Sequence, residues 1–140
     1  PPRSTLFPYT TLFRSGEYWG MAIKSGQESK ERLVSFVQND LFFKSSSEIE
    51  NFKESFGREY GNPYFLMEIW RMVLENFGES YGRKLRNRNV SEAEVLKFMK
   101  SYLVRLPLSD QISFRSGFFR GYAHYSAVAL YRKLWKKAEK

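Results

Sequence analysis

The sequence predicts an all-α fold, a single-domain bundle of about five helices over residues 26–43, 48–60, 63–81, 91–105 and 109–137. Three observations predict it. Apolar residues recur at a period near 3.6 in every segment and nowhere alternate cleanly with period two. Ser-x-x-Glu pairs stand at Ser25/Glu28, Ser47/Glu50 and Ser91/Glu94, where a serine at N-cap and a glutamate at N3 satisfy each other's backbone donors. Glycine, proline and asparagine punctuate the gaps, as helix ends require.

Over 26–43, Leu33, Phe36, Val37 and Leu41 line one face, with Ser25 as the expected cap. A polar break at Ser45–Ser47 follows, and Ile49, Phe52, Phe56 and Tyr60 continue at helical spacing over 48–60. Gly61 is the expected left-handed stop. Asn62 then caps the helix over 63–81, with Pro63 in the first turn, where a missing N–H costs nothing. Leu66, Ile69, Trp70, Val73, Phe77 and Tyr81 make this the widest apolar stripe, so it is expected to be central. Residues 82–89 (GRKLRNRN) read as a basic connector whose first half can prolong that helix. Ser91 opens the next helix, with Val95, Phe98, Tyr102 and Leu106 inward, and Pro107 ends it. Ser109 or Asp110 caps a long last helix.

Residues 1–15, PPRSTLFPYTTLFRS, resemble translated short-read sequencing adapter and are expected to lie outside the fold, as engineered scars do. Gly16–Gly20 then precede Met21, which fits a natural start at Met21. The expected organisation is therefore a non-native, disordered leader over 1–20 and a helical domain over 21–140; a longer protein truncated at the adapter junction is the alternative. The source this implies is an assembled bacterial, phage or environmental genome.

Residues 21–140 carry 21 basic and 14 acidic side chains, net +7. The charge is uneven: residues 28–61 are net −2 and residues 62–140 net +8. Such a split points to one face meant for an anionic partner, with a solvated basic surface as the plainer alternative. Cysteine is absent, which removes disulfides, thiolate nucleophiles and cysteine-based zinc sites. No apolar run approaches the length that spans a bilayer, and a cytoplasmic location is expected.

Little here suits catalysis. His124 is the single histidine, and neither a nucleophile nor an acidic orienter can be placed beside it from the sequence. Glu48, Glu50 and Glu54 fit better as favourable charges at a helix N-terminus than as metal ligands. No enzyme activity, metal or cofactor is expected.

The informative side chains are basic. Arg83, Lys84, Arg86 and Arg88 fall within six residues, and Arg132, Lys133, Lys136 and Lys137 crowd the C-terminal end. Clusters of this kind contact several phosphates at once and release counterions. Arg115 and Arg120, beside Phe119 and Tyr122, add a mixed aromatic and basic surface of the sort that stacks on unpaired bases. Gly117 and Gly121, four apart in a helix, place two costly glycines on one face. They suit close helix packing within the domain or across a homodimer, and with Phe118 and Phe119 they offer a docking patch. A membrane-dimer reading fails because Arg115, Arg120 and His124 interrupt the segment. Finally, Glu54–Gly61 and Glu75–Gly82 share the pattern E-x-F-G-x-x-Y-G, 21 residues apart. Either a helical repeat or two similar helix C-terminal turns explains it, and the second is preferred.

Residues 82–98, with Ser91, Val95, Lys97 and Phe98 at the matching positions, resemble the small helical subunit of type III CRISPR effector complexes. Glu94 and Leu96 depart from the family's usual Gln and Arg. The resemblance implies a helical bundle stacking along a guide–target filament and touching its backbone through Lys and Arg. The expected function is thus a non-catalytic nucleic-acid-binding protein, or the accessory subunit of a larger nucleoprotein complex, recognising DNA or RNA with little sequence specificity. The alternative is a small inhibitor-like protein-interaction module, of the phage or mobile-element kind, that binds an acidic or nucleic-acid-binding partner protein.

Overall fold

A computed structural model describes the backbone of residues 8–140 and the side chains from residue 15 onward. These residues are all-helical, with no strand among them. Seven α-helices replace the expected five: α1 Pro8–Ser25, α2 Lys30–Asn39, α3 Ser46–Tyr60, α4 Pro63–Arg86, α5 Glu92–Phe98, α6 Leu108–Tyr122 and α7 Ala127–Ala138. A 3-10 turn, Leu41–Phe43, follows α2, and a π-helical turn, Met99–Leu103, follows α5. The chain divides into two compact units, Pro1–Trp70 and Arg71–Lys140, where the sequence reads as one domain.

In the first unit, α1 takes in Gly16–Gly20, which the sequence places in a disordered leader over 1–20. Gly16 and Gly20 are instead buried helical residues, and Trp19 stacks on Phe36 with ring centroids 5.6 Å apart. Residues 1–14 lie outside the described side chains, so the adapter resemblance is neither supported nor opposed by packing. Gly26, at φ 83°, ends α1. Ser25 does not cap α2. Its hydroxyl donates to the Ala22 carbonyl, and Ser29 caps by accepting the Arg32 N–H. The second capping box is Ser45/Glu48, not Ser47/Glu50: the Ser45 hydroxyl accepts the Glu48 N–H, and the Glu48 carboxylate accepts the Ser45 N–H. Two hydrogen bonds to Ser45 hold the Glu48 carboxyl below its ordinary pKa. Gly61, at φ 90°, stops α3, and the Asn62 side chain accepts the Tyr64 N–H to start α4. Leu33, Val37, Leu41, Phe52, Phe56 and Ile69 are fully buried.

In the second unit, α4 runs on to Arg86, so Gly82 is interior rather than terminal. Ser91/Glu94 forms a complete capping box for α5. The expected helix over 109–137 is two helices, because Ala123 adopts a left-handed conformation at φ 53°. Alanine there is strained by about 1 kcal/mol. The Arg86 guanidinium offsets that strain by donating to the Tyr122 and Ala123 carbonyls, at 2.8 and 3.2 Å. His124 therefore lies in the turn, where its Nδ1 accepts the Ser126 N–H. Val95, Met99, Leu103, Phe114, Phe118 and Leu134 are fully buried. Desolvation raises the Tyr81 hydroxyl above its ordinary pKa, with Glu94 adding to the effect.

The two units follow the same plan at a fixed offset of 62 residues. Residues 16–61 align without a gap on 78–123, and eleven of the 46 positions are identical. Gly16 and Gly20 correspond to Gly78 and Gly82, and the N-cap Ser29 to the N-cap Ser91. The buried Leu33, Val37, Leu41, Phe52 and Phe56 correspond to Val95, Met99, Leu103, Phe114 and Phe118. Both left-handed stops coincide, Gly26 with Arg88 and Gly61 with Ala123. The contacts repeat too. A methyl on Gly16 or Gly20 would press on the carbonyls of Phe52 or Phe56; on Gly78 or Gly82 it would press on those of Phe114 or Phe118. The duplication explains why α4 is so long: its first residues complete one repeat and its last sixteen begin the other. The 21-residue echo is a different matter. Gly61 ends α3, while Gly82 packs within α4, so the preferred reading as two helix ends holds for the first copy alone.

Candidate nucleic-acid interface

All ten candidate cations fall in the second unit. That unit carries fifteen basic and six acidic side chains, net +9, against eight and nine, net −1, in the first. The structure sorts them by what they already hold. Arg83 pairs with Glu79 one turn back on α4, at 2.5 Å. Arg120 reaches from α6 to the same Glu79, at 3.0 Å, and to Glu75 at 4.0 Å. Arg86 caps the end of α6 and lies 5.7 Å from the Tyr122 ring. Lys133 on α7 pairs with Glu92 on α5, at 3.2 Å. Arg86, Arg120 and Lys133 tie the unit's own helices together, a use that the sequence could not show because their partners lie 36 to 41 residues away, while Arg83 pairs within its own helix.

Lys84, Arg88, Arg115, Arg132, Lys136 and Lys137 are exposed and make no ion pair among the described residues. Lys84 follows Arg83 on the last turns of α4, and Arg88 stands in the α4–α5 turn. Arg132, Lys136 and Lys137 share the solvent face of α7, opposite the buried Ala127, Tyr131, Leu134 and Ala138. Burial drives the hydroxyl of Tyr131, on the inward face of this helix, far above its ordinary pKa.

An open groove of about 770 Å³ lies in this unit. Leu85, Val90 and Leu130 give it apolar walls, Tyr122 an aromatic one, and Arg88 and Lys133 its basic groups. Arg88 has φ 61°, a left-handed conformation that strains a non-glycine residue by about 1–2 kcal/mol. Tyr125, in the turn after α6, is 89% exposed. A second, smaller cleft of about 110 Å³ includes Leu108, Ile112, Arg115 and Trp135.

The glycine and phenylalanine patch expected for docking is internal. Methyl groups on Gly117 and Gly121 would overlap the Glu75 and Glu79 carbonyls, so both glycines serve the α4–α6 crossing. Phe118 is fully buried, and Phe119 is half-buried against Tyr131, 5.7 Å between centroids. Neither is presented to a partner. No described helix is long and apolar enough to cross a membrane. No protein-family model matches the chain, and no curated protein or solved structure matches it.

Proposed function

We propose that the second unit binds nucleic acid through its phosphate backbone, with little base specificity, as a non-catalytic protein or as the accessory subunit of a nucleoprotein complex. One observation carries this reading. Ten exposed cations have no carboxylate partner among the described residues, the six above with Lys97, Lys100, Arg105 and Lys140, and they lie in a unit of net +9 against net −1 in the other. Solubility alone gives no reason for so uneven a split between two copies of one plan. The phosphate contacts are Lys84, Arg88, Arg115, Arg132, Lys136 and Lys137, with Tyr125 as an exposed ring on which an unpaired base can stack. Arg86, Arg120 and Lys133 are removed from the primary contact set because they join helices, and Arg83 because Glu79 already pairs with it. The resemblance of residues 82–98 to a CRISPR small subunit falls on the end of α4 and on α5, within this basic unit.

The test is fluorescence anisotropy with labelled single- and double-stranded DNA and RNA across a salt series. The expected outcome is binding whose logarithm falls linearly with log salt, and its loss in the Arg132→Glu, Lys136→Glu, Lys137→Glu triple variant. Absence of binding at low salt overturns the proposal.

A second reading rests on the smaller cleft. Leu108 and Ile112 are 69% and 41% exposed on α6, beside Trp135 and Arg115. An exposed apolar pair with an adjacent cation suits an acidic protein partner. Retention of a partner from source-cell lysate, abolished by Leu108→Asp but not by the α7 charge reversals, would favour that reading.

A further inference from the structure

We infer that the groove of the second repeat seats one backbone phosphate of the bound strand, and that Arg88 is the residue that holds it. The inference rests on the nucleic-acid reading above and deepens it by naming the site. Its starting point is the internal duplication. The turn between the first two helices of each repeat needs a left-handed residue, and the first repeat supplies Gly26, at φ 83°. The second repeat supplies Arg88 at the corresponding position, at φ 61°. Glycine adopts this conformation freely, and an L side chain does not. The first repeat shows that the turn closes without a side chain, so the strained arginine needs a reason outside the fold.

The groove supplies the reason. Arg88 lines it, exposed and without an ion pair among the described residues. The groove's two carboxylates are already engaged. Glu92 pairs with Lys133 at 3.2 Å, and Glu94 accepts the Ser91 N–H and hydroxyl at 3.2 and 3.3 Å. Arg88 is therefore the one charged side chain lining the groove that makes neither a hydrogen bond nor an ion pair among the described residues, and its complement is a single anionic group. A guanidinium fork matches two phosphate oxygens at once, which an ammonium cannot do. Lys84, exposed near the end of α4, adds to the positive charge of the same unit. Backbone strain kept at a solvent-facing arginine is the pattern expected where binding, rather than folding, selects the residue.

The experiment replaces Arg88 with the sister repeat's residue. Arg88→Gly and Arg88→Lys are compared with the wild-type chain by thermal unfolding and by anisotropy with labelled single-stranded DNA and RNA. Arg88→Gly should unfold at the same or a higher temperature, yet bind about tenfold more weakly, with the log–log salt slope reduced by about one. Arg88→Lys should keep the slope and lose part of the affinity. Wild-type affinity in Arg88→Gly overturns the assignment while leaving the wider nucleic-acid reading intact. A fall in melting temperature with Arg88→Gly also overturns it, since Arg88 would then serve the fold. Failure of the wild-type chain to bind either oligonucleotide removes both proposals. Displacement of the oligonucleotide by an acidic peptide at equal charge concentration assigns the groove to protein carboxylates instead.

Discussion

The two repeats cross their first and third helices in the same register but build the seam differently. In the first, glycine lies on one side only: Gly16 and Gly20 on α1 meet Ser55 and the Glu59 Cβ on α3. In the second, glycines face each other from both sides, Gly78 and Gly82 on α4 against Gly117 and Gly121 on α6. The all-glycine seam lets backbones approach more closely, and it brings acidic side chains of α4 under α6. Glu79 can then hold Arg83 and Arg120 together. In the first repeat the matching Arg58 pairs with Glu54 on its own helix, at 2.7 Å. One repeat has thus kept a nearly neutral surface around a looser seam. The other tightened the seam, settled five cations on its own acceptors, Arg71 on Glu75 among them, and left ten facing solvent without an ion pair.

If the repeats are equivalent in their cores, equivalent truncations should cost the same. Phe52 and Phe114 correspond, both are fully buried, and each belongs to an aromatic cluster with the corresponding Phe36 or Phe98, 5.6 Å away in both. Phe52→Ala and Phe114→Ala should each destabilise their own unit by about 4 kcal/mol. Trp19 and Trp70 report the first unit's unfolding and Trp135 the second's. Unequal losses, or a loss reported by the wrong tryptophan, would break the equivalence.

The seams should respond unequally. Gly78→Ala drives a methyl into the Phe114 carbonyl, with Phe118 N at 2.8 Å, and backbone cannot step aside. A cost of about 3 kcal/mol is expected, after the gain in helix propensity is counted. Gly16→Ala meets the Ser55 hydroxyl first and the Phe52 carbonyl at 2.6 Å second. Adding Ser55→Gly, the residue that the second repeat carries at Gly117, should recover part of that loss. No such rescue exists for Gly78→Ala. A double-mutant cycle measured by denaturant unfolding decides it, and zero coupling between residues 16 and 55 would refute the geometry.

A gain is expected at Gly57. Nothing lies within 4 Å of the position its Cβ would take, whereas the second repeat places Phe119 there. Gly57→Ala should stabilise α3 by about 0.5–1 kcal/mol through helix propensity and lower unfolded-state entropy. A loss in thermal midpoint would show that α3 is more crowded than its partner helix.

What could be read from the sequence was local. Ser91, Asn62 and Gly61 cap or stop helices through bonds spanning two to four residues, and all three were legible. The serine-rich stretches misled by two and four residues, because Ser29 and Ser45 have the same chemistry as their neighbours Ser25 and Ser47. The break at Ala123 was hidden because its support, Arg86, is 36 residues away. The duplication was hidden because most matches conserve size and burial rather than identity, as Val37 with Met99 or Leu33 with Val95. The basic character of the C-terminal half was plain from composition. Which cations are uncommitted depends on carboxylates brought near by folding, so Lys133 and its neighbour Arg132 look alike in the sequence, although Glu92, 41 residues away, pairs with Lys133 alone.

The smallest expected effect separates the repeats at the start of their third helices. Ser45 and Glu48 form a full capping box in the first repeat, while Pro107 stands at the corresponding N-cap with no side-chain cap bond. Glu48 has its pKa lowered in the folded chain by the bonds from Ser45, so its contribution to stability is complete above the ordinary value of 4.5. That contribution is lost as pH falls through the depressed folded value. Glutamine can still accept at N3, so Glu48→Gln should keep the box and remove the charge and its titration. Between neutral pH and pH 3, the wild-type chain should lose slightly more first-unit stability than Glu48→Gln does, read by Trp19 and Trp70 fluorescence. Trp135 should report no difference between the two chains. If Glu48→Gln instead softens the second unit, or if the two chains lose first-unit stability in parallel, the capping box is not what distinguishes the repeats at this point.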